Sequence, residues 1–179
     1  MIVIEGPDCA GKTSLAKAIC KKFKANYYHF DKPAPGVHHV EQFIEALESQ
    51  PYNTVFDRGC LSGLVYDFKR FGDPSYSTTS LDEIRWGLQH MAKSKALLCY
   101  VTASEDILLE RLAKETDDFV DSAELVYASK IYELLWRFVR EQPWAIYGGP
   151  SLGEYNTTNR STKDILKAST VYFGSFLND

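Results

Sequence analysis

Gly6-Pro7-Asp8-Cys9-Ala10-Gly11-Lys12-Thr13 decides the fold. It follows a short apolar run, Met1-Ile2-Val3-Ile4-Glu5, and opens a helical pattern over residues 12–23 with Leu15, Ala16, Ile19 and Phe23 on one stripe. Glycine before a strand-to-helix turn and again before lysine fits G-x-x-x-x-G-K-[ST], which turns successive backbone amides inward around a phosphate. Gly6 and Gly11 allow backbone angles and close approach that a Cβ would obstruct. The helix N-terminus adds positive potential, Lys12 reaches the β and γ phosphates, and Thr13 offers a hydroxyl to Mg²⁺. The expected donor-phosphate contacts are Gly6, Asp8, Cys9, Ala10, Gly11, Lys12, Thr13 and Ser14.

Working outward, apolar runs alternate with helical stripes. Residues 25–30, 53–56 and 96–101 read as strands; residues 38–49, 60–71, 81–92, 107–112 and 123–140 read as helices. Val40, Phe43, Ile44 and Leu47 line one face of the 38–49 helix, and Leu125, Ile131, Leu134, Leu135 and Phe138 are expected inward on the longest one. Ser80 with Glu83 predicts a capping box. Two segments compete for a fifth strand, residues 144–147 on composition and 154–158 by nearness to the last helix, expected over 162–176. Crossovers this short imply a parallel sheet with helices on both faces, binding its ligands beyond the carboxyl ends of its strands.

Composition excludes several classes. With 179 residues, 45% hydrophobic and 25% charged, the chain suits one globular domain over 1–179 that needs no metal or disulfide staple. A net charge of −4 is unlike a general nucleic-acid binder, and no apolar run is long enough to span a membrane. No secretory signal is read at the N-terminus. Cys9, Cys20, Cys60 and Cys99 are scattered without a CxxC and read as reduced thiols of a cytoplasmic protein.

Asp57-Arg58 closes the strand 53–56. A carboxylate there can hold Mg²⁺ through water or bond an acceptor hydroxyl, and the adjacent guanidinium can grip a phosphate bidentately. A switch GTPase should show D-x-x-G and N-K-x-D; Asp57-Arg58-Gly59-Cys60 and Asn159-Arg160-Ser161-Thr162 fit neither. A motor normally needs a larger core, so a small-molecule kinase is expected.

Glu5-Gly6-Pro7-Asp8-Cys9-Ala10-Gly11-Lys12-Thr13 resembles the E-G-x-D-x-A-G-K-[ST] loop of the thymidylate kinase family. Asp57-Arg58-Gly59-Cys60-Leu61-Ser62-Gly63-Leu64-Val65-Tyr66 is similar to that family's D-R-Y-x-x-S-x-x-A-[YF] segment. His29-Phe30-Asp31-Lys32-Pro33 sits where the family has F-P-x-R, and residues 110–119 resemble its lid region. The compact spacing is most like the small thymidylate-kinase-like proteins of bacteriophages. The resemblance implies a P-loop nucleoside triphosphate hydrolase fold with a five-stranded sheet, a short lid near residues 112–121, and commonly a homodimer. It also implies phosphoryl transfer from MgATP to a small-molecule acceptor, a deoxynucleoside monophosphate such as dTMP.

The chain departs from that pattern with Cys9 in the loop, Lys32 for the arginine of F-P-x-R, Gly59 for the tyrosine of D-R-Y, and only Arg111 and Lys114 as lid cations. A dNMP of another base, or a free deoxynucleoside with Asp31 as base toward its 5′-hydroxyl, therefore stays in play, as does nucleotide binding without turnover. Lys12, Asp57, Arg58, Arg111 and Lys114 are the expected catalytic residues, with Thr13 and Asp57 at the metal. By resemblance Asp8 accepts a bond from the sugar 3′-hydroxyl. Phe30, Phe43, Tyr66 and Phe68 are candidate base-stacking rings, each with a core position as its alternative. Arg70 is either a substitute for the missing lid arginine or a solvent-facing helix residue, and Arg85 has the same two readings.

Overall fold

The computed structural model describes residues 1–30, 37–67, 79–114, 120–143 and 149–177. Five strands carry the sheet: β1 (Ile2–Glu5), β2 (Asn26–His29), β3 (Thr54–Asp57), β4 (Leu97–Thr102) and β5 (Ser151–Asn156). The helices described are α1 (Lys12–Phe23), α2 (His39–Ser49), α3 (Cys60–Tyr66), α4 (Leu81–Lys93), α5 (Glu105–Leu112), α6 (Ser122–Glu141), α7 (Thr162–Ala168) and α8 (Thr170–Gly174). All neighbouring strands are parallel, in the order β2-β3-β1-β4-β5.

β1 lies at the centre with all four residues buried, as a strand covered on both faces requires. Its side chains alternate between two apolar layers. Val3 joins Phe56, Leu98 and the inward residues of α2, α3, α4 and most of α6. Ile2 and Ile4 join Val55, Leu97, Cys99 and Val101 beneath α1, α5, α7 and α8. Each fully buried Leu or Phe there contributes about 1.5–3 kcal/mol relative to exposure. β1 and β3 are adjacent, yet α1 packs in one layer and α3 in the other, so a crevice opens at their carboxyl ends.

Glycines permit close approaches at both turns that frame the crevice. A Cβ on Gly6 (φ 146°) would stand 1.9 Å from the Val101 carbonyl oxygen. One on Gly59 would stand 2.6 Å from Val3 Cγ1 and 3.1 Å from the Phe43 ring, so this chain has no room for the tyrosine of D-R-Y.

The structure corrects two expectations and locates the fifth strand. Leu134 is 56% exposed, because α6 turns Leu125, Ala128, Tyr132, Leu135, Trp136 and Val139 inward. The last helix is broken at Ser169 into α7 and α8, where the Thr170 hydroxyl donates to the Leu166 carbonyl at 2.6 Å and competes with the helix ladder. The fifth strand is 151–156, overlapping the later candidate; residues 144–147 lie outside the described residues. So do Asp31, Lys32, Phe68, Arg70 and the lid stretch 115–119. All four cysteines are free thiols. No helix among the described residues is long and apolar enough to cross a membrane.

Candidate active site

The turn from β1 to α1 is shaped for an anion. Positive φ at Gly6 (146°), Cys9 (61°) and Gly11 (93°) coils the backbone. Gly11 caps α1 without a side chain, and the first turn of α1 carries no acidic residue. By contrast α4, α5, α6 and α7 each place Asp or Glu in that turn. The leading amides and the dipole of α1 are thus left for an outside negative charge.

Asp8 ties the loop to β3 and α3. Its Oδ1 accepts from Arg58 Nη2 at 2.7 Å and from Lys12 Nζ at 3.3 Å, and its Oδ2 accepts from the Tyr66 hydroxyl at 2.7 Å. Lys12 Nζ also donates to the Pro7 carbonyl at 2.7 Å, and the Arg58 guanidinium lies 5.1 Å above the Tyr66 ring. Burial pushes the Asp8 carboxyl up, but the charges of Lys12 and Arg58 outweigh it and hold the group below its ordinary value. Burial lowers the Lys12 ammonium, against which Asp8 acts. For Arg58 burial is overcome by Asp8 in the other direction, so the guanidinium stays charged. Arg58 occupies φ 80°, a conformation costing about 1–3 kcal/mol for a residue with a side chain. Its amide is held by the Ile4 carbonyl at 2.9 Å.

Beneath this cluster Glu5 is fully buried. Its Oε1 accepts from the Leu61 and Ser62 amides at 2.8 and 3.3 Å, and its Oε2 from the Ser62 and Tyr132 hydroxyls at 2.7 and 3.1 Å. A side chain from β1 thereby satisfies the first turn of α3, the helix that carries Tyr66.

Asp57 forms a second node. Its Oδ2 accepts from the Thr13 hydroxyl at 2.6 Å and the Tyr27 hydroxyl at 2.8 Å, with His29 Nδ1 at 3.4 Å. Its Oδ1 is buried with no partner among the described residues. Thr13, donating its proton to Asp57, keeps its lone pairs free. A free hydroxyl oxygen beside an unpartnered carboxylate oxygen suits a hard cation such as Mg²⁺ and its water.

Arg111 reaches back to the loop from α5. It donates through Nη1 to the Cys9 carbonyl (3.0 Å) and the Thr157 hydroxyl (2.9 Å), and through Nη2 to the Thr157 carbonyl (2.9 Å). Thr157 in turn donates to the Ala10 carbonyl at 2.9 Å. Lys114 is exposed and bonded to Glu110 at 2.5 Å. A cavity of about 710 Å³ runs from Asp8 and Arg58 past Lys12 and Arg111 to Arg160 and Thr162.

The structure therefore brings together Asp8, the loop, Lys12, Thr13, Asp57, Arg58, Tyr66 and Arg111. It separates Phe43, expected as a base-stacking candidate: the ring is wholly buried in the core against Phe30 and Phe56. Phe30, 3% exposed, packs on Phe43 and His39. Tyr66 contributes its hydroxyl to Asp8 and its ring to Arg58. Sequence reading missed Tyr27, Thr157 and Arg160. Period-2 alternation in β2 signals Tyr27, which shares a face with His29; the other two needed β5 located first.

No family model matches the chain. The SPbeta prophage-derived protein YorR of Bacillus subtilis (strain 168) is 26% identical over 135 residues, covering 74% of this chain and 79% of YorR. The crystal structure of YorR, a complex with phosphorylated GDP, matches with a TM-score of 0.74 at 21% identity, over 96% of this chain and 94% of YorR. Deoxyadenosine kinase from M. mycoides with bound dCTP matches with a TM-score of 0.56 at 17% identity, over 98% and 100% of the two chains. Thymidylate kinase from Candida albicans gives 0.55 at 16% identity, over 97% and 92%. The chain has the α/β fold of the P-loop kinases. That fold fits a nucleoside kinase as well as it fits a thymidylate kinase.

Proposed function

We propose that this protein is a nucleotide kinase that transfers the γ-phosphate of MgATP to a deoxynucleoside monophosphate such as dTMP, giving a dNDP and ADP. One observation carries the choice of a phosphate over a hydroxyl as acceptor. The carboxylates described at the crevice are occupied: Asp8 by Lys12, Arg58 and Tyr66, Glu5 by α3 and Tyr132, and Asp57 through Oδ2 by Thr13 and Tyr27, its unpartnered Oδ1 being the oxygen this reading gives to the metal. Asp8 is also held below its ordinary value. A 5′-hydroxyl acceptor needs a base to take its proton; a monophosphate, with a second ionisation near pH 6, attacks without one.

Charge supports the same reading. In a chain of net charge −4, the residues described around the cavity include five cations (Lys12, Arg58, Arg111, Lys114 and Arg160) and one carboxylate, Asp8. A triphosphate and a monophosphate meeting in line require such convergence. Lys12 and the loop amides would hold the donor phosphates, and Arg58 stands where the acceptor phosphate would approach. An acceptor phosphate oxygen forms the new bond to Pγ while the bond from Pγ to the ADP oxygen breaks, with no net proton to move. Thr13 and Asp57 would hold Mg²⁺, which when bound neutralises charge on the β and γ oxygens.

A coupled assay for ADP formation with dTMP, dUMP, dGMP, dAMP, dCMP and thymidine tests this. YorR's complex with phosphorylated GDP gives the purine nucleotides particular weight in that panel. The expected result is nucleotide-dependent turnover with at least one monophosphate and none with thymidine. Turnover with thymidine alone, lost in Asp31→Asn, would replace the reading with a deoxynucleoside kinase.

A further inference from the structure

The register of β2 against β3 pairs His29 with Asp57 and Tyr27 with Val55. Alternation then puts Tyr27 and His29 on the α1 face of the sheet, and Tyr28 on the other, against Phe56. Tyr27 belongs to neither apolar layer. Its ring is 38% exposed on an edge strand, with the Lys17 ammonium 5.7 Å from its centroid. Packing therefore gives no reason for a tyrosine there. Its hydroxyl does, because it donates at 2.8 Å to Oδ2 of the fully buried Asp57.

A carboxylate oxygen has two lone-pair directions. On Asp57 Oδ2, the Thr13 and Tyr27 hydroxyls make the two short bonds, with His29 Nδ1 farther off at 3.4 Å, leaving Oδ1 as the oxygen without a partner among the described residues. We propose that Tyr27 is a positioning residue for the metal-binding carboxylate: its hydroxyl fixes the rotation of Asp57 so that Oδ1 alone is presented to the metal's water. This inference rests on the reading of Thr13 and Asp57 as the Mg²⁺ pair. Without the Tyr27 hydroxyl, Oδ2 keeps one short bond, from Thr13, with His29 only at 3.4 Å, and the carboxylate can rotate to share its charge differently. Losing an outer partner of a metal ligand typically weakens metal binding about 10–100-fold.

The test titrates Mn²⁺ by electron paramagnetic resonance into the full chain saturated with ADP, comparing wild type, Tyr27→Phe and Asp57→Asn. Tyr27→Phe is expected to bind Mn²⁺ about tenfold more weakly, to bind ADP normally in EDTA, and to melt with wild type. Wild-type Mn²⁺ affinity in Tyr27→Phe, with Asp57→Asn weakened, overturns the inference alone. Weakened ADP binding in EDTA or a clearly lower melting temperature in Tyr27→Phe would assign the hydroxyl to the fold and overturn it too. Asp57→Asn binding Mn²⁺ as wild type would instead overturn the reading of the metal pair.

Discussion

The two ends of the cavity hold their cations differently. At the β3 end, Lys12 and Arg58 converge on the Asp8 carboxylate, which Tyr66 completes. At the α5 end, Arg111 binds the Cys9 and Thr157 carbonyls, while Lys114 pairs with Glu110 in solvent. Charges bonded to a partly buried carboxylate are fixed before any ligand arrives. Charges bonded to backbone oxygens or to an exposed acid hold the loop or stay free to move. The first arrangement suits positioning and the second suits retention of a donor, so substitutions at the two ends should fail in different ways.

Lys12→Ala should have the largest effect. If the proposed reading holds, Lys12 faces the transferred phosphate, and removing it takes away electrostatic stabilisation worth about 10³-fold or more in kcat, on the scale of arginine fingers in related chemistry. Among the described residues Lys12 Nζ bonds only within its own loop, to Pro7 and Asp8, so circular dichroism and the melting temperature should stay near wild type. An active variant, or an unfolded one, would break the contrast between the ends.

Arg58→Ala comes next, with an expected loss of about 10²-fold in acceptor-dependent rate. Arg85→Ala serves as its control. That residue is exposed, paired with Asp82 and Gln142 and lying over Phe138, so a change below about twofold is expected. Equal losses in steady-state assays would remove the special standing of Arg58.

Arg111→Ala sharpens the contrast from the other end. Releasing the Cys9 carbonyl loosens the phosphate loop on the donor side, so KM for ATP should rise about tenfold while KM for the acceptor changes little. A matched rise in both would mean that the clamp serves the whole crevice.

The same division governs what could be read from sequence. Chemistry confined to contiguous residues was legible: the loop at 6–13 and α1 at 12–23 stand where spacing puts them. Chemistry assembled across strands was legible only in part: Asp57, Arg58, Tyr66 and Arg111 were expected and do meet the loop, but other partners were missed. Tyr27 meets Asp57 only through the β2–β3 register, and Arg160 lines the cavity only because β5 ends at Asn156. β5 itself reads Ser-Leu-Gly-Glu-Tyr-Asn, poor in β-branched residues because an edge strand buries little. In α6 two adjacent leucines compete for one inward position, and the 3–4 spacing from Ala128 and Tyr132 selects Leu135 over Leu134. Phe43 shows the converse limit, since an aromatic beside a crevice and one in the core look alike until packing is known.

The smallest effect concerns what supports the β3 end. Burial raises the Glu5 carboxyl above its ordinary value, and bonds from Ser62, Leu61 and Tyr132 pull it back only in part. A raised folded value means that the stability contribution is fully present below the unfolded value, near pH 4.5, and is lost as pH rises through the folded one. Glutamine keeps the acceptor for the Leu61 and Ser62 amides and turns an amide toward two hydroxyls that can accept it. Glu5→Gln should therefore gain on wild type as pH increases from 5 to 8. In melting curves this is a shift of about 2–4 °C for each kcal/mol recovered. Since Glu5 anchors the first turn of α3, and with it Tyr66, KM for the acceptor should stay within about twofold if geometry is kept. A melting difference flat across that pH range would mean that the four hydrogen bonds already keep Glu5 ionised in the folded state, and that the β3 end stands on a charge as permanent as Asp8.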